Sequence, residues 1–357
     1  MEVNHGSVKS PAKRARSSMA DVALAAGVSK GAVSHVLNNR PGEISAETRA
    51  RVLATMRELG YRPPPSKRAI VRGRCDILGI VMGCKAIELT RPSYYNSVFE
   101  SVLEETESRG LNVTLYTGSI FEIDTLDKIR IYCDGRCDGL LLFGVRAQSP
   151  LPDVLTERAV PFVVVGDSAE RAGTTSVDVD NAQGMYALVD YLRQLGHQRL
   201  GFVSGPEYVT SAQVRRAAFR AAAEAMGAVP HMSPEVTGLA DEGLTPWLEH
   251  TLSLPPQERP TAFVGWNDAA AHNIGQLLTA RGLNIPADVS VVGFDDVPNV
   301  IPPSGLRLTT YRQPYQQIGS RAVSLCLERF EDTFTQTSVE LIPGKLIVRQ
   351  SSGPPPV

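Results

Sequence analysis

The chain has 357 residues, 43% of them hydrophobic, which suffices for a sizeable core and excludes a disordered composition. Its net charge of −2 conceals a division: residues 1–74 carry fourteen lysines and arginines against five acidic residues, or +9, leaving −11 on the remainder. The length predicts two or three compact units, and the basic head predicts a polyanionic partner, nucleic acid before others. Five cysteines, at 75, 84, 133, 137 and 326, are an odd number without a signal-type apolar start. They argue against a disulfide framework and for reduced thiols in a cytoplasmic protein. No apolar run approaches the ~18 residues that a membrane span requires.

In chain order, residues 1–17 read as a solvated basic tail. Residues 18–62 then set out three short helices. Ser18 is the expected N-cap of the first, in which Met19, Val22, Ala23 and Ala26 recur at helical spacing. Gly27 is its stop, free to take the left-handed conformation that the turn needs. Ser29 caps a second helix with Ala32, Val33, Val36 and Leu37 inward. A third begins near Ser45 and carries Val52, Leu53, Met56 and Leu59 to Gly60. Helix, glycine turn, helix and packing helix make a helix-turn-helix arrangement. Spacing alone fits a ligand-free helical bundle as well; the basic charge favours the DNA-reading alternative.

The stretches "ADVALAAGVSKGAVSHVLNN" and "ISAETRARVLATMRELGYRP" resemble the DNA-binding head of the LacI/GalR family of transcriptional repressors. The resemblance continues through "PFVVVGD", "VDVDN", "LGHQRLGFVSG", "RRAAF", "NDAAAHNIGQLLTARGLNIPADVSVVGFDD", "LTTYRQP" and "KLIVRQSSGPP", almost to the end of the chain. It implies that Lys30, Gly31 and His35 face base edges, while Ser18, Ser29, Ser34 and Asn38 contact phosphates. Two departures bear on specificity: His35 stands where many members have arginine, and Gly31 where they have a side chain. The resemblance also implies a homodimer on a pseudo-palindromic operator in double-stranded DNA, with a tetramer left open.

Residues 63–74 join head to body. By resemblance they form a hinge helix on DNA, with Ile70 as a minor-groove wedge and Arg68 and Lys67 on phosphates. The three prolines at 63–65 leave a stiff polyproline spacer as the alternative.

From residue 75 to 350, continuous β-rich runs alternate with helical patterns. "ILGIVM", "NVTLYT", "GLLLFG" and "FVVVGD" make one series; "RLGFVSG", "TAFVGW" and "SVVGF" make a second. Helices are expected near 94–108, 181–195, 211–226, 267–281 and 315–330. Two such series predict two doubly wound parallel-sheet lobes with a ligand cleft between them, and the family resemblance implies the architecture of periplasmic binding proteins. Residues 351–357 read as a tail.

Cleft candidates sit at strand ends and helix starts: Asp180 with Asn181, Arg215, Trp266, Asn267 and Asp295. By resemblance, Arg215, Asn267 and Asp295 match the family's effector-binding residues, and Tyr94 and Tyr95 line the first lobe. Carboxylates, amides and a guanidinium suit a small, sugar-like effector with vicinal hydroxyls. Asp268 and Asp296 are expected to be structural. Asp178, Asp180, Asp295 and Asp296 also raise acid–base or metal chemistry, but no nucleotide, nucleophile-elbow, zinc or complete calcium motif accompanies them. No cofactor, metal or enzymatic turnover is therefore expected. Two readings remain, a ligand-responsive transcriptional repressor of sugar uptake or catabolism, and a soluble sugar-binding protein with a vestigial head. The stretch 83–93 has no assigned role.

Overall fold

The computed structural model describes residues 17–37, 44–61, 74–83, 92–116, 129–236, 243–298, 305–331 and 337–356. The chain divides into two compact units, Met1–Cys75 and Asp76–Val357.

The head contains α1 (Met19–Ala25), α2 (Lys30–Leu37) and α3 (Ala46–Glu58). Ser18 closes a capping box on α1: its Oγ accepts from the Asp21 N–H, and Asp21 accepts in return from the Ser18 N–H at 2.7 Å. Gly27 takes φ +63, which lets the chain turn directly into α2. The Ser29 and Ser45 hydroxyls accept from the N–H groups of Ala32 and Thr48. Val22, Ala23, Ala26, Val33, Val36, Val52 and Met56 meet in one core, and Tyr61 packs into it from beyond α3. Among the described residues of the head, the three expected helices and the caps at Ser18, Ser29 and Ser45 are thus observed. Asn38 and the linker residues 63–73, including Arg68 and Ile70, lie outside the described residues.

The body is built on two six-stranded sheets of matching order. The first contains β1 (Ile77–Met82), β2 (Asn112–Tyr116), β3 (Gly139–Phe143), β4 (Phe162–Val165), β5 (Thr175–Val179) and β11 (Ser338–Ile342), in the order β11-β5-β4-β3-β1-β2, all parallel. The second contains β6 (Arg199–Ser204), β7 (Val229–Glu235), β8 (Ala262–Gly265), β9 (Ser290–Asp295), β10 (Thr309–Arg312) and β12 (Lys345–Ile347). Its order is β12-β10-β9-β8-β6-β7, and only β12 runs antiparallel. The central strands β3, β4, β8 and β9 are buried along their whole length, which is why they read as unbroken apolar runs.

The helices are α4 (Tyr94–Ser108), α5 (Leu151–Glu157), α6 (Asn181–Gln194), α7 (Thr210–Ala225), α8 (Leu244–Ser253), α9 (Asp268–Thr279) and α10 (Tyr315–Glu331). The chain passes between lobes three times. It leaves β5 for α6, which packs on α7, β10 and β12; it leaves β10 for α10, which packs on α4 and β3–β5; and it passes from β11 to β12. These crossings are tied together: the Asp180 N–H donates to the Ile342 carbonyl at 2.9 Å, and the Gly344 N–H donates to the Tyr311 hydroxyl at 2.9 Å. Gly184 lets α6 lie against Phe294 and Tyr311, where a Cβ would overlap both rings.

The C-terminal residues 351–353, read from sequence as the start of a free tail, are part of the second lobe. Ser351 is fully buried; its carbonyl accepts from the Val291 N–H and its Oγ from the Thr309 N–H, each at 2.8 Å. The Gly353 carbonyl accepts from His197 and from Ser290.

Candidate DNA-reading face and ligand cleft

On the head, α2 presents the residues expected to read DNA. Lys30 and Gly31 are exposed, and Ser34 and His35 are half-buried. The hydroxyls of Ser18 and Ser29 both serve as caps, which leaves them at helix N-termini, where backbone N–H groups favour a phosphate. A Cβ at Gly31 would meet only the Ser29 Oγ at 3.6 Å, an ordinary contact, so packing does not impose glycine there.

In the body, the buried Arg215 on α7 organises the cleft. Its Nε donates to Asn181 Oδ1 at 2.7 Å, and its Nη1 to the Trp266 carbonyl at 2.8 Å and to Asp295 Oδ1 at 3.3 Å. The guanidinium lies 3.7 Å from the centre of the Phe294 ring. None of these bonds uses Nη2. Asp295 ends β9 with φ 128, and Asp296 follows with φ 55. Two successive non-glycine residues at positive φ cost on the order of 1–3 kcal/mol each, strain retained where it aims a side chain. Gln313 Nε2 donates to Asp295 Oδ1 at 2.6 Å, and the Tyr315 hydroxyl donates to the Asp295 carbonyl at 2.7 Å. Burial pushes the Asp295 carboxyl upward against the downward pull of Arg215 and Gln313.

The first lobe supplies Tyr94 and Tyr95 from the first turn of α4, which Ser93 caps. Their hydroxyls rest over Gly166 and Gly144, which end β4 and β3 at φ +76 and +62. The rings meet edge to face at 5.4 Å, and Tyr94 tilts against Tyr315 at 6.0 Å. The Tyr94 hydroxyl is sealed from solvent and has no hydrogen-bond partner. Burial raises its pKa, as do the nearby charges of Asp178 and Asp295. The lobes also touch where the Ala147 N–H donates to the Tyr208 carbonyl at 3.1 Å and Arg146 lies over the Tyr208 ring.

Other expected cleft residues have structural duties. Asp180 is the N-cap of α6, accepting from the Gln183 N–H. Asn267 caps α9 through Oδ1, which commits its acceptor and leaves the Nδ2 donor. Trp266 spreads its ring over Gly205, close enough to exclude a Cβ there. Asp268 accepts from Thr310 and from the Asp296 N–H, and Asp296 pairs with Arg312 and Arg349. Both are engaged by neighbouring protein groups. Gln313 and Tyr315 were not anticipated: nothing in "YRQPY" marks them as facing Asp295, since that depends on the crossing from β10 to α10. No cluster of three or more potential metal ligands occurs among the described residues.

A helical head with an exposed, basic-flanked second helix, joined to a two-lobed body with a polar cleft, defines a DNA-binding regulator with a ligand-sensing domain. Comparison with known proteins agrees. Residues 18–64 match the family model described as bacterial regulatory proteins, lacI family, and residues 189–352 the periplasmic binding protein-like domain. The HTH-type transcriptional repressor PurR of Escherichia coli O139:H28 is 32% identical over 343 residues, covering 93% of this chain and 95% of PurR. The HTH-type transcriptional regulator AglR of Rhizobium meliloti is 30% identical over 334 residues, covering 92% of both. The chain belongs to the lacI family of bacterial transcriptional regulators. Among solved structures, the complex of the regulator CelR with cellobiose superposes with a TM-score of 0.65 at 26% identity, covering 94% of this chain and all of that one. The lac repressor dimer bound to operator and an anti-inducer superposes with a TM-score of 0.76 at 23% identity and shares the fold. No helix among the described residues is long and apolar enough to cross a membrane.

Proposed function

We propose that this regulator is a homodimeric repressor whose operator affinity is set by a small sugar-like effector held between the lobes. The observation that carries this reading is the unmet polar capacity around Arg215. The guanidinium keeps Nη2 unspent, and the buried Tyr94 hydroxyl and Gln313 Oε1 have no partners. Buried polar groups without partners are costly, so the unpartnered groups near Arg215 suit a hydroxylated ligand that would satisfy them. Tyr94, Tyr95, Arg215, Trp266, Asn267 and Asp295 form the proposed contact set, with Asp180 holding the adjacent helix. Lys30, Gly31, Ser34 and His35 form the proposed reading surface, with Asn38, Arg68 and Ile70 as further DNA contacts. Two heads related by a twofold axis would read inverted half-sites. The effector is bound without turnover in this reading, and a cytoplasmic location follows from the role.

The test is a thermal-shift screen of monosaccharides, disaccharides and nucleosides on the full chain. Operator affinity is then measured with and without each compound that binds. An effector that shifts wild-type operator affinity but not that of Asp295→Ala supports the cleft. An equal response in both proteins places the effector elsewhere.

A further inference from the structure

We propose that Asp178 is a positioning residue for Arg215, acting through Asn181, and that protonation of Asp178 releases the guanidinium. The three residues lie on different parts of the body: Asp178 on β5 of the first sheet, Asn181 at the start of α6 just past the crossing, and Arg215 on α7 of the second lobe. Their exposures are 1%, 2% and 3%, so water does not compete for their bonds.

The argument is one of donor and acceptor polarity. Asp178 Oδ1 accepts from the Val179 N–H at 2.8 Å, and Oδ2 accepts from Asn181 Nδ2 at 2.7 Å. Both oxygens therefore face donors. Asn181 Nδ2 donates both to Asp178 and to the Val179 carbonyl at 3.2 Å, so its Oδ1 is directed at Arg215 Nε, also at 2.7 Å. A proton on Asp178 Oδ2 would confront the Asn181 amide donor. Turning the amide over to accept that proton aims Nδ2 at Arg215 Nε, setting two donors against each other, and gives up the Nδ2 bond to the Val179 carbonyl. Arg215 then loses the bond that fixes its plane. A proton on Oδ1 instead displaces the Val179 N–H at the crossing itself. Either site disturbs the relay.

The charged and titratable groups around Asp178 are Arg215 from α7, Asp167 from the loop after β4 and Tyr94 from α4. Burial pushes the Asp178 carboxyl up to about 7, outweighing the opposing influence of Arg215 and the two hydrogen bonds. The switch thus falls near neutral pH. The consequence for the ligand, weaker binding below neutrality, rests on the cleft reading above. The positioning itself does not, and it can be tested without a ligand.

Trp266 supplies the readout, because its carbonyl accepts from Arg215 Nη1 and its ring lies 5.8 Å from the guanidinium. The probe is Trp266 emission between pH 5 and 9 in full-length Trp247→Phe protein, whose remaining tryptophan is Trp266. A transition centred near neutrality is expected. In the added variant Asp178→Asn it should vanish, with emission at every pH matching the acid form, whereas added Asp268→Asn should keep it. A transition that persists in Asp178→Asn, or disappears in Asp268→Asn, overturns the proposal. The wild-type Arg215 Nε–H resonance, assigned by its absence in Arg215→Lys, provides a measurement that needs no change at Asp178. It should move with the same midpoint, and an Nε–H signal that does not change with pH refutes the relay even if Asp178→Asn fails to fold.

Discussion

The Tyr94 hydroxyl lies directly over Gly166, so close that a Cβ at that glycine would overlap it. The oxygen is sealed from solvent and unpartnered. A hydroxyl buried in this way costs on the order of 1–3 kcal/mol. Tyr94→Phe is therefore expected to stabilise the ligand-free body, by about 1 kcal/mol or roughly 2 °C in melting temperature. It should weaken effector binding at the same time. Differential scanning calorimetry with and without effector measures both. A variant that is less stable and binds equally well would show that this hydroxyl already has a partner.

Residues 351–353 complete the second lobe and do not trail from it. Ending the chain at Gln350 would remove the acceptor of the Val291 N–H, the acceptor of the Thr309 N–H and the carbonyl that holds His197. Each orphaned buried group costs about 1–3 kcal/mol, so the truncated protein should lose several kcal/mol. Urea unfolding followed by tryptophan emission gives the loss directly. An unchanged midpoint would mean that these bonds contribute nothing net.

Much of this fold is legible in the sequence where the physics is local. Ser18, Gly27 and Ser45 announce the head because a cap or a left-handed turn needs only its immediate neighbours. The central strands β1, β3, β4, β6, β8 and β9 announce themselves because both faces are covered. β7 does not: its residues "VPHMSPE" include two prolines and only one fully buried side chain, which an edge strand tolerates. β11 and β12 are also at sheet edges and equally faint. In the cleft, Asp180 and Asn267 illustrate an ambiguity of the code. A helix cap and a residue at a cleft mouth both stand just after a strand, so spacing cannot separate them. Arg215 meets Asn181, 34 residues away, and Asp295, 80 residues away, only through the tertiary packing of α6, α7 and β9 in the second lobe. No local pattern encodes that meeting.

His197 gives the body a pH dependence of definite sign. Its ring is enclosed, with Nε2 donating to the Gly353 carbonyl at 2.9 Å and Nδ1 paired with Thr261 Oγ1 at 2.8 Å. Burial lowers its pKa below the ordinary 6.5. The unfolded chain then takes up a proton at a higher pH than the folded one. The contribution of His197 is complete above pH 6.5 and is lost as pH falls through the folded value. Asp178 and Asp268, raised by burial, act in the opposite direction, favouring the fold at low pH and less so as pH rises toward neutrality. The His197 effect must therefore be isolated by difference. Urea unfolding of wild type and His197→Gln between pH 5 and 7.5 should show wild type losing its advantage toward pH 5. A constant gap between the two would refute the assignment.

On the head, Gly31 separates stability from recognition. It sits in the first turn of α2 with no tight neighbour, and a mid-helix glycine is destabilising by roughly 0.5–1 kcal/mol relative to alanine, an upper bound here. Gly31→Ala is thus expected to raise the stability of the head by up to that amount, read from its thermal unfolding. The added methyl projects from an exposed position of the helix proposed to read DNA, so it should alter operator preference without perturbing the fold. His35→Arg acts on the same surface through chemistry. An arginine can bond guanine in bidentate fashion where an imidazole offers one contact, a difference worth about 1–3 kcal/mol at one base pair. Selection from a randomised operator library should therefore change at a single position in each half-site for His35→Arg, with the remaining positions kept. A uniform loss of affinity across all sequences would instead assign His35 to phosphate, and an unchanged consensus would remove it from the interface.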